Sequence, residues 1–317
     1  MRDCRRRRWR AIAAVVGLVV LVAVNAYPQA GLVGQDTPLQ YESLHIGTLR
    51  RVPQGTFQRD GTATNTTTVS AFYMSEHAIT QAQYVAVTGK DNPSWFSEGD
   101  DTANRPVMRV SWYDTLVFCN MLSIAEGRTP VYTIGGSTDP GDWGEVPTDR
   151  SEAWDAAIMN VAANGYRLPT EAEWMWAAMG ATLDARNGAF DASGVNRTGY
   201  TKGYAGSSED GSSNDRIEDY AWYSDNSGAT THPVGVKRPN ELGLYDMSGN
   251  MSEWTWDWWA SYPEGQLEDP TGPVSLTGRI LRGGSWNTDA SHCSVAHRIN
   301  TFAYFRTSFS GFRVVSR

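Results

Sequence analysis

The sequence predicts an α+β domain built from short strands and few helices, joined by long irregular loops. Three observations carry that expectation. Capped helical patterns fill the first half, whereas the second half holds brief β-type runs between long polar stretches. The 317 residues include 13 Trp, 14 Tyr and 31 Gly, a mixture suited to loops pinned by aromatic clusters and unsuited to a helix bundle. Hydrophobic residues at 40% and charged residues at 20% are those of a globular chain. A net charge of −8 excludes a general nucleic-acid binder.

Residues 1–26 stand apart. Arg5 to Arg8 and Arg10 precede the apolar run 11–24, and Val24-Asn25-Ala26 resembles a small-x-small cleavage site. This is the layout of a signal peptide, and the run is short for a membrane-spanning helix. An uncleaved signal anchor is the alternative, given the arginine-rich flank. Both readings export the folded part to the cell envelope, cell surface or periplasm. Membrane contact is then confined to this segment. Cleavage would leave two cysteines, Cys119 and Cys293. Cys119 sits in an amphipathic helical pattern and reads as a small buried thiol.

Residues 27–44 read as a linker leading into one domain over 45–317. Val52-Pro53-Gln54-Gly55-Thr56-Phe57 is a strand entering a turn, residues 62–70 are a polar loop, and residues 71–74 form a short strand. Thr80 is a good N-cap for a helix that ends at Gly89. Residues 107–110 read as a strand, and Ser111 caps a helix to about Gly127. Residues 128–150 are irregular. Residues 163–169 read as a strand ending at Pro169. Thr170 and Glu173 then form a capping box, with Trp174, Ala177 and Ala178 as the apolar face. Residues 184–232 are long and polar, and residues 253–259 are an aromatic strand-like run.

Several blocks in this order carry a family resemblance. They are Val52 to Phe57, Pro106-Val107-Met108-Arg109-Val110-Ser111-Trp112, Tyr166-Arg167-Leu168-Pro169-Thr170-Glu171-Ala172-Glu173-Trp174, the run from Gly243 to Trp254, Arg282-Gly283-Gly284-Ser285-Trp286, and Gly311-Phe312-Arg313. Together they resemble the formylglycine-generating-enzyme-like, or sulfatase-modifying-factor, family. The resemblance spans nearly all of the expected domain and implies a variant of the C-type lectin fold. It does not by itself imply an oxidase, because one fold hosts many functions.

The family's oxidases resemble one another in a copper(I)-binding cysteine pair, at the second and seventh positions after the aromatic of the Gly-Gly-Ser block. Copper(I) is soft and prefers thiolates. Here those positions are Thr288 and Cys293, so half of the pair is missing and copper is not expected. A second branch uses a histidine-ligated iron. His45, His77, His232, His292 and His297 show no spaced cluster of that kind. In the family, the turn before Glu253 often binds a structural calcium. The resemblance implies carbonyls of Ser248, Gly249 and Met251 and the Glu253 carboxylate as ligands. The alternative is that Glu253 accepts hydrogen bonds within a tight turn.

Between Trp286 and Gly311 the chain is small, polar and aromatic. Thr288, Asp289, Ser291, His292, Ser294, His297, Ile299, Asn300, Thr301, Phe302, Tyr304, Phe305, Thr307, Ser308 and Phe309 have the composition of a paratope, with aromatics for area and small polar groups for adaptable hydrogen bonds. Ala290, Cys293, Val295, Ala296, Arg298 and Arg306 punctuate the run as inward-facing or bracing residues. Residues 299–302 show no binary pattern of a buried strand or helix. From Asn287 to Arg317 there is no Lys, Gln, Glu, Met or Trp. A codon ending in a pyrimidine cannot encode any of these five, so adenine-directed mutagenesis of asparagine codons would leave such a gap. The frame and its filling resemble the variable proteins of diversity-generating retroelements, with Ala303 where proline is expected. That resemblance implies a surface segment that binds ligands, and with the N-terminal segment it points to a non-catalytic, exported protein that binds a protein or cell-surface ligand through residues 287–310. The alternative is an enzyme of the same family.

Overall fold

The computed structural model describes residues 38–96, 98–99, 101–207, 216–274 and 277–317. The expected signal segment lies outside them. Pro38–Arg317 forms one compact unit. Among the described residues no helix is long and apolar enough to cross a membrane.

Three four-stranded sheets carry the fold. The first has the order β1-β2-β5-β14, from Gln40–Ser43, Gly47–Val52, Phe72–Ser75 and Val315–Ser316. The second has the order β10-β4-β3-β8, from Leu267–Glu268, Thr66–Val69, Gly55–Gln58 and Val195–Asn196. The third has the order β12-β11-β9-β13, from Arg298–Thr301, Arg279–Arg282, Ser252–Trp258 and Ser310–Gly311. A small pair joins β6 (Tyr132–Thr133) to β7 (Ile158–Met159). The helices are α1 (Gln81–Thr88), α2 (Trp112–Ala125), α3 (Glu152–Asp155), α4 (Glu171–Ala178) and α5 (Ile217–Tyr220).

The helix starts follow their caps. Thr80, Ser111 and Thr170 each accept a hydrogen bond from the backbone N–H three residues on, and the third-position side chain answers. Gly89 closes α1 in the left-handed conformation. β9 is buried along its whole length because it is interior to its sheet. Indole donors lock the layers together. Trp112 Nε1 donates to the Thr255 carbonyl at 3.0 Å, and Trp254 Nε1 donates to the Val110 carbonyl at 2.9 Å.

Four expectations need correction. The domain starts before residue 45: β1 lies inside the expected linker and pairs with β2 over four residues. The expected polar loop 62–70 contains β4, whose threonines are β-branched and pair in register with β3. The expected strands at 107–110 and 163–169 are extended coil. Arg109 sits at φ 59°, which breaks the first, and the second makes a single bridge, Arg167 to Val315. The patternless run 299–302 belongs mostly to strand β12, which pairs antiparallel with β11. A half-exposed strand of four residues is too short to display a period.

The tail ties the sheets together. It forms β11, β12 and β13 in the third sheet, then enters the first as β14 against β5. The Cys119 thiol is buried and free, as expected.

Candidate binding surface and its frame

The tail begins with a turn that only glycine can make. Gly283 and Gly284 have φ of 95° and 72°. A Cβ on Gly284 would meet the His292 carbonyl oxygen at 2.8 Å and Cys293 Sγ at 3.1 Å. The close approach seats residues 290–293 against the Gly-Gly turn.

Four arginines then hold the segment. Arg282 is buried and donates to the carbonyls of Val295 at 2.7 Å, Ala296 at 3.1 Å and His297 at 2.5 Å. Arg298 grips Glu171 at the start of α4 with two bonds, of 2.5 and 2.7 Å. Arg306 grips Asp114 in the first turn of α2 with two bonds, of 2.8 and 3.2 Å. Arg313 grips Glu253 of β9, at 2.6 and 2.7 Å, with both side chains buried. The fork of a guanidinium matches a carboxylate in each of the last three pairs. The backbone is pinned as well: Trp112 N–H donates to the Ala303 carbonyl and Arg109 N–H to the Thr307 carbonyl.

Between these clamps the side chains divide. Cys293, Val295 and Ala303 are buried. All fifteen candidate ligand-binding residues are half-buried or exposed. Phe302 and Phe305 are 44% and 41% exposed and form one aromatic group with Tyr304, with ring centroids 4.9–5.5 Å apart. Ile299, Tyr304 and Phe309 also pack on the main core and so present one side only. The Thr288 hydroxyl is spent within a turn, accepting from Ser285 N–H and donating to the Ser285 carbonyl. Of the bracing candidates, Arg298 and Arg306 do brace, while Ala296 is exposed.

One neighbouring patch escapes sequence reasoning. Trp95 is 66% exposed, and the Arg109 guanidinium lies 5.3 Å from its ring centre. Phe96 packs edge-on to Trp286, whose Nε1 donates to the Ser308 carbonyl. Loop 94–96 therefore borders the tail. The available signal was an adjacent Trp and Phe in a charged loop.

The implied metal sites do not fit. Both Glu253 oxygens serve Arg313, and Oε2 also accepts from Trp174 Nε1 at 2.7 Å. The Gly249 carbonyl accepts from Met251 N–H. With a guanidinium bound to Glu253, a calcium ion would meet a cation in place of a free carboxylate. The alternative of turn hydrogen bonds also needs correction, because the donors to the Glu253 carboxylate are the side chains of Arg313 and Trp174, which lie outside the turn. For copper, burial pushes the Cys293 thiol up to about 12, and Thr288 offers no second sulfur. His292 and His297 do meet, with ring centroids 4.4 Å apart. Among the described residues no group of three or more His, Cys, Asp or Glu could hold a metal.

Comparison with known proteins agrees with this geometry. The chaperone protein LppX of Paenibacillus barcinonensis is 38% identical over 235 residues, 73% of this chain and 74% of that protein. The formylglycine-generating enzyme of Thermomonospora curvata is 31% identical over 175 residues, 51% of this chain and 52% of the enzyme. The solved structure of Treponema denticola variable protein 1 superposes with a TM-score of 0.74 at 34% identity, covering 89% of this chain and 100% of that one. Residues 38–317 match the sulfatase-modifying factor enzyme 1-like domain. With its C-type-lectin-like architecture and its likeness to a variable protein, the chain belongs to the FGE-sulfatase family.

Proposed function

We propose that this protein is an exported, non-catalytic binding protein whose diversified tail recognises a protein or cell-surface ligand. One observation carries the reading. Within a single segment Arg282, Cys293, Val295, Ala303 and Arg313 are buried, while all fifteen candidate contact residues remain at least partly accessible. Phe302, Tyr304 and Phe305 supply rigid aromatic area, and Asp289, Ser291 and Asn300 supply polar contacts around it. The likeness to Treponema denticola variable protein 1 supports the same assignment.

A library tests this. The fifteen positions are randomised on the otherwise intact chain and displayed on cells. The cells are sorted against hen egg-white lysozyme, for which the parent shows no affinity. The expected outcome is folded clones that bind lysozyme through the new side chains and lose binding when the parental segment is restored. Recovery of binders only with changes outside the segment, or of no folded clones, would contradict the proposal.

A second reading has its own support in the likeness to LppX, a chaperone. Under it, the same surface holds a partner protein during maturation. Co-expression with proteins exported from the same locus separates the two: a chaperone raises the folded yield of a particular partner, whereas a display protein does not.

A further inference from the structure

A cavity lies beside strand β12, where Arg298 forms part of its lining. It has a volume of about 420 Å³ and sits among α4, the end of β9 and the loop 260–273. Phe57, Met175, Trp258, Tyr262 and Leu267 make its walls largely apolar. Such a lining with few polar groups is the ordinary make-up of a small-molecule site.

The polar groups at its edge are almost all spent. Arg59 donates its four Nη hydrogens to the Thr66, Pro263 and Gly265 carbonyls and the Thr67 hydroxyl. Arg298 is committed to Glu171 and the Ala260 carbonyl. The exceptions are Arg59 Nε, buried without a hydrogen-bond partner among the described residues, and Asp257. Asp257 is more than nine-tenths buried, and its Oδ2 accepts from the Glu171 N–H at 2.7 Å. Its Oδ1 has no hydrogen-bond partner among the described residues. Gly272 closes over that oxygen at φ 72°, where an added Cβ would lie 2.9 Å from Oδ1.

Charge narrows what such a site accepts. An anion would face the Glu171 carboxylate, and a cation would face Arg59 and Arg298. Both would also lose their hydration in an apolar chamber. We propose that this cavity binds an uncharged, largely apolar small molecule bearing one oxygen acceptor, held by a single hydrogen bond to Asp257. Protonation state agrees with that role. Burial, followed by the nearby Glu171 charge, pushes the Asp257 carboxyl up to about 8. At neutral pH it carries a proton, and with Oδ2 already accepting, Oδ1 is the oxygen left to donate. The groups facing Asp257 are Glu171 and Glu173 on α4, Arg279 on β11, Arg298 on β12, Arg59 after β3, and Tyr262.

Calorimetric titration of the intact protein tests the site with four molecules of similar shape: benzylacetone, butylbenzene, phenylbutyrate and phenylbutylamine. Benzylacetone is expected to bind at least about tenfold more tightly than each of the others, the worth of one well-made hydrogen bond. In the parent protein its affinity should fall as pH rises through about 8, where the donor proton is lost. In Asp257→Asn, whose amide donates without ionising, the affinity should persist across that range. Folding of both proteins is checked by melting. Four results would each overturn the proposal: no binding by any probe, equal binding by all four, preference for the charged molecules, or the same pH profile in parent and variant.

Discussion

Two parts of one tail obey different rules. The frame consists of the Gly-Gly turn, the four arginines and the buried Cys293, Val295 and Ala303. The filling consists of half-buried and exposed residues, of which Ile299, Tyr304 and Phe309 also pack on the core. In the frame, Arg298, Arg306 and Arg313 reach carboxylates on α4, α2 and β9, and Arg282 reaches carbonyls further along the tail, so each is specified by a fixed partner. In the filling, Phe302 and Phe305 stack mainly on each other and on Tyr304. The difference teaches how a fold can hold an irregular segment: fixed, charge-assisted contacts of the backbone and bracing side chains pin the chain, while Phe302 and Phe305 stay exposed.

This contrast can be broken most severely at Arg313. Arg313→Met leaves the buried Glu253 carboxylate without its guanidinium, and the loss expected is about 3–5 kcal/mol in chemical denaturation. A loss below about 1 kcal/mol would show that the pair does not anchor the frame. Arg282→Met comes next. It strips three carbonyls of their donor, with an expected loss of about 3 kcal/mol and faster hydrogen exchange over residues 290–297.

Acidification should act on the seam between frame and filling. Burial, together with the facing His292 and the nearby Arg282, depresses His297 from 6.5 to about 4. The folded protein thus keeps this imidazole neutral. Its stability is complete above about 6.5 and declines as pH falls from there toward about 4. Because the ring is partly exposed, the discounted loss near pH 5 is about 1 kcal/mol. His297→Gln should flatten that part of the pH profile of Tm. The smallest effect belongs to the filling. Phe302→Ser and Phe305→Ser should each change stability by less than about 1 kcal/mol, because both rings already face solvent.

Much of the frame was legible because its signals are local. Thr80, Ser111 and Thr170 announce helix starts within four residues, and Gly283-Gly284 stands in a block the family resemblance marks. Composition marked residues 287–310 as a small, polar and aromatic run, and that reading missed strand β12 within it. What sequence could not supply was non-local. Arg306 meets Asp114 across 192 positions, and nothing in either neighbourhood names the other. Glu253 resembles a calcium ligand in its own turn, and its true partner lies 60 residues downstream. Strand β12 takes its identity from the backbone of β11, so its side chains need not alternate in polarity. Trp95 joins the border of the surface through Arg109 and Thr307, a contact made only by folding.

A saturation scan of residues 279–317, scored by the folded fraction of each variant on the cell surface, tests the division most directly. The account predicts two classes. Gly283, Gly284, Arg282, Cys293, Val295, Ala303 and Arg313 should reject nearly every replacement, and Asp289, Ser291, Asn300, Phe302 and Phe305 should accept nearly all. A scan in which the exposed aromatics are as intolerant as the buried clamps would contradict it.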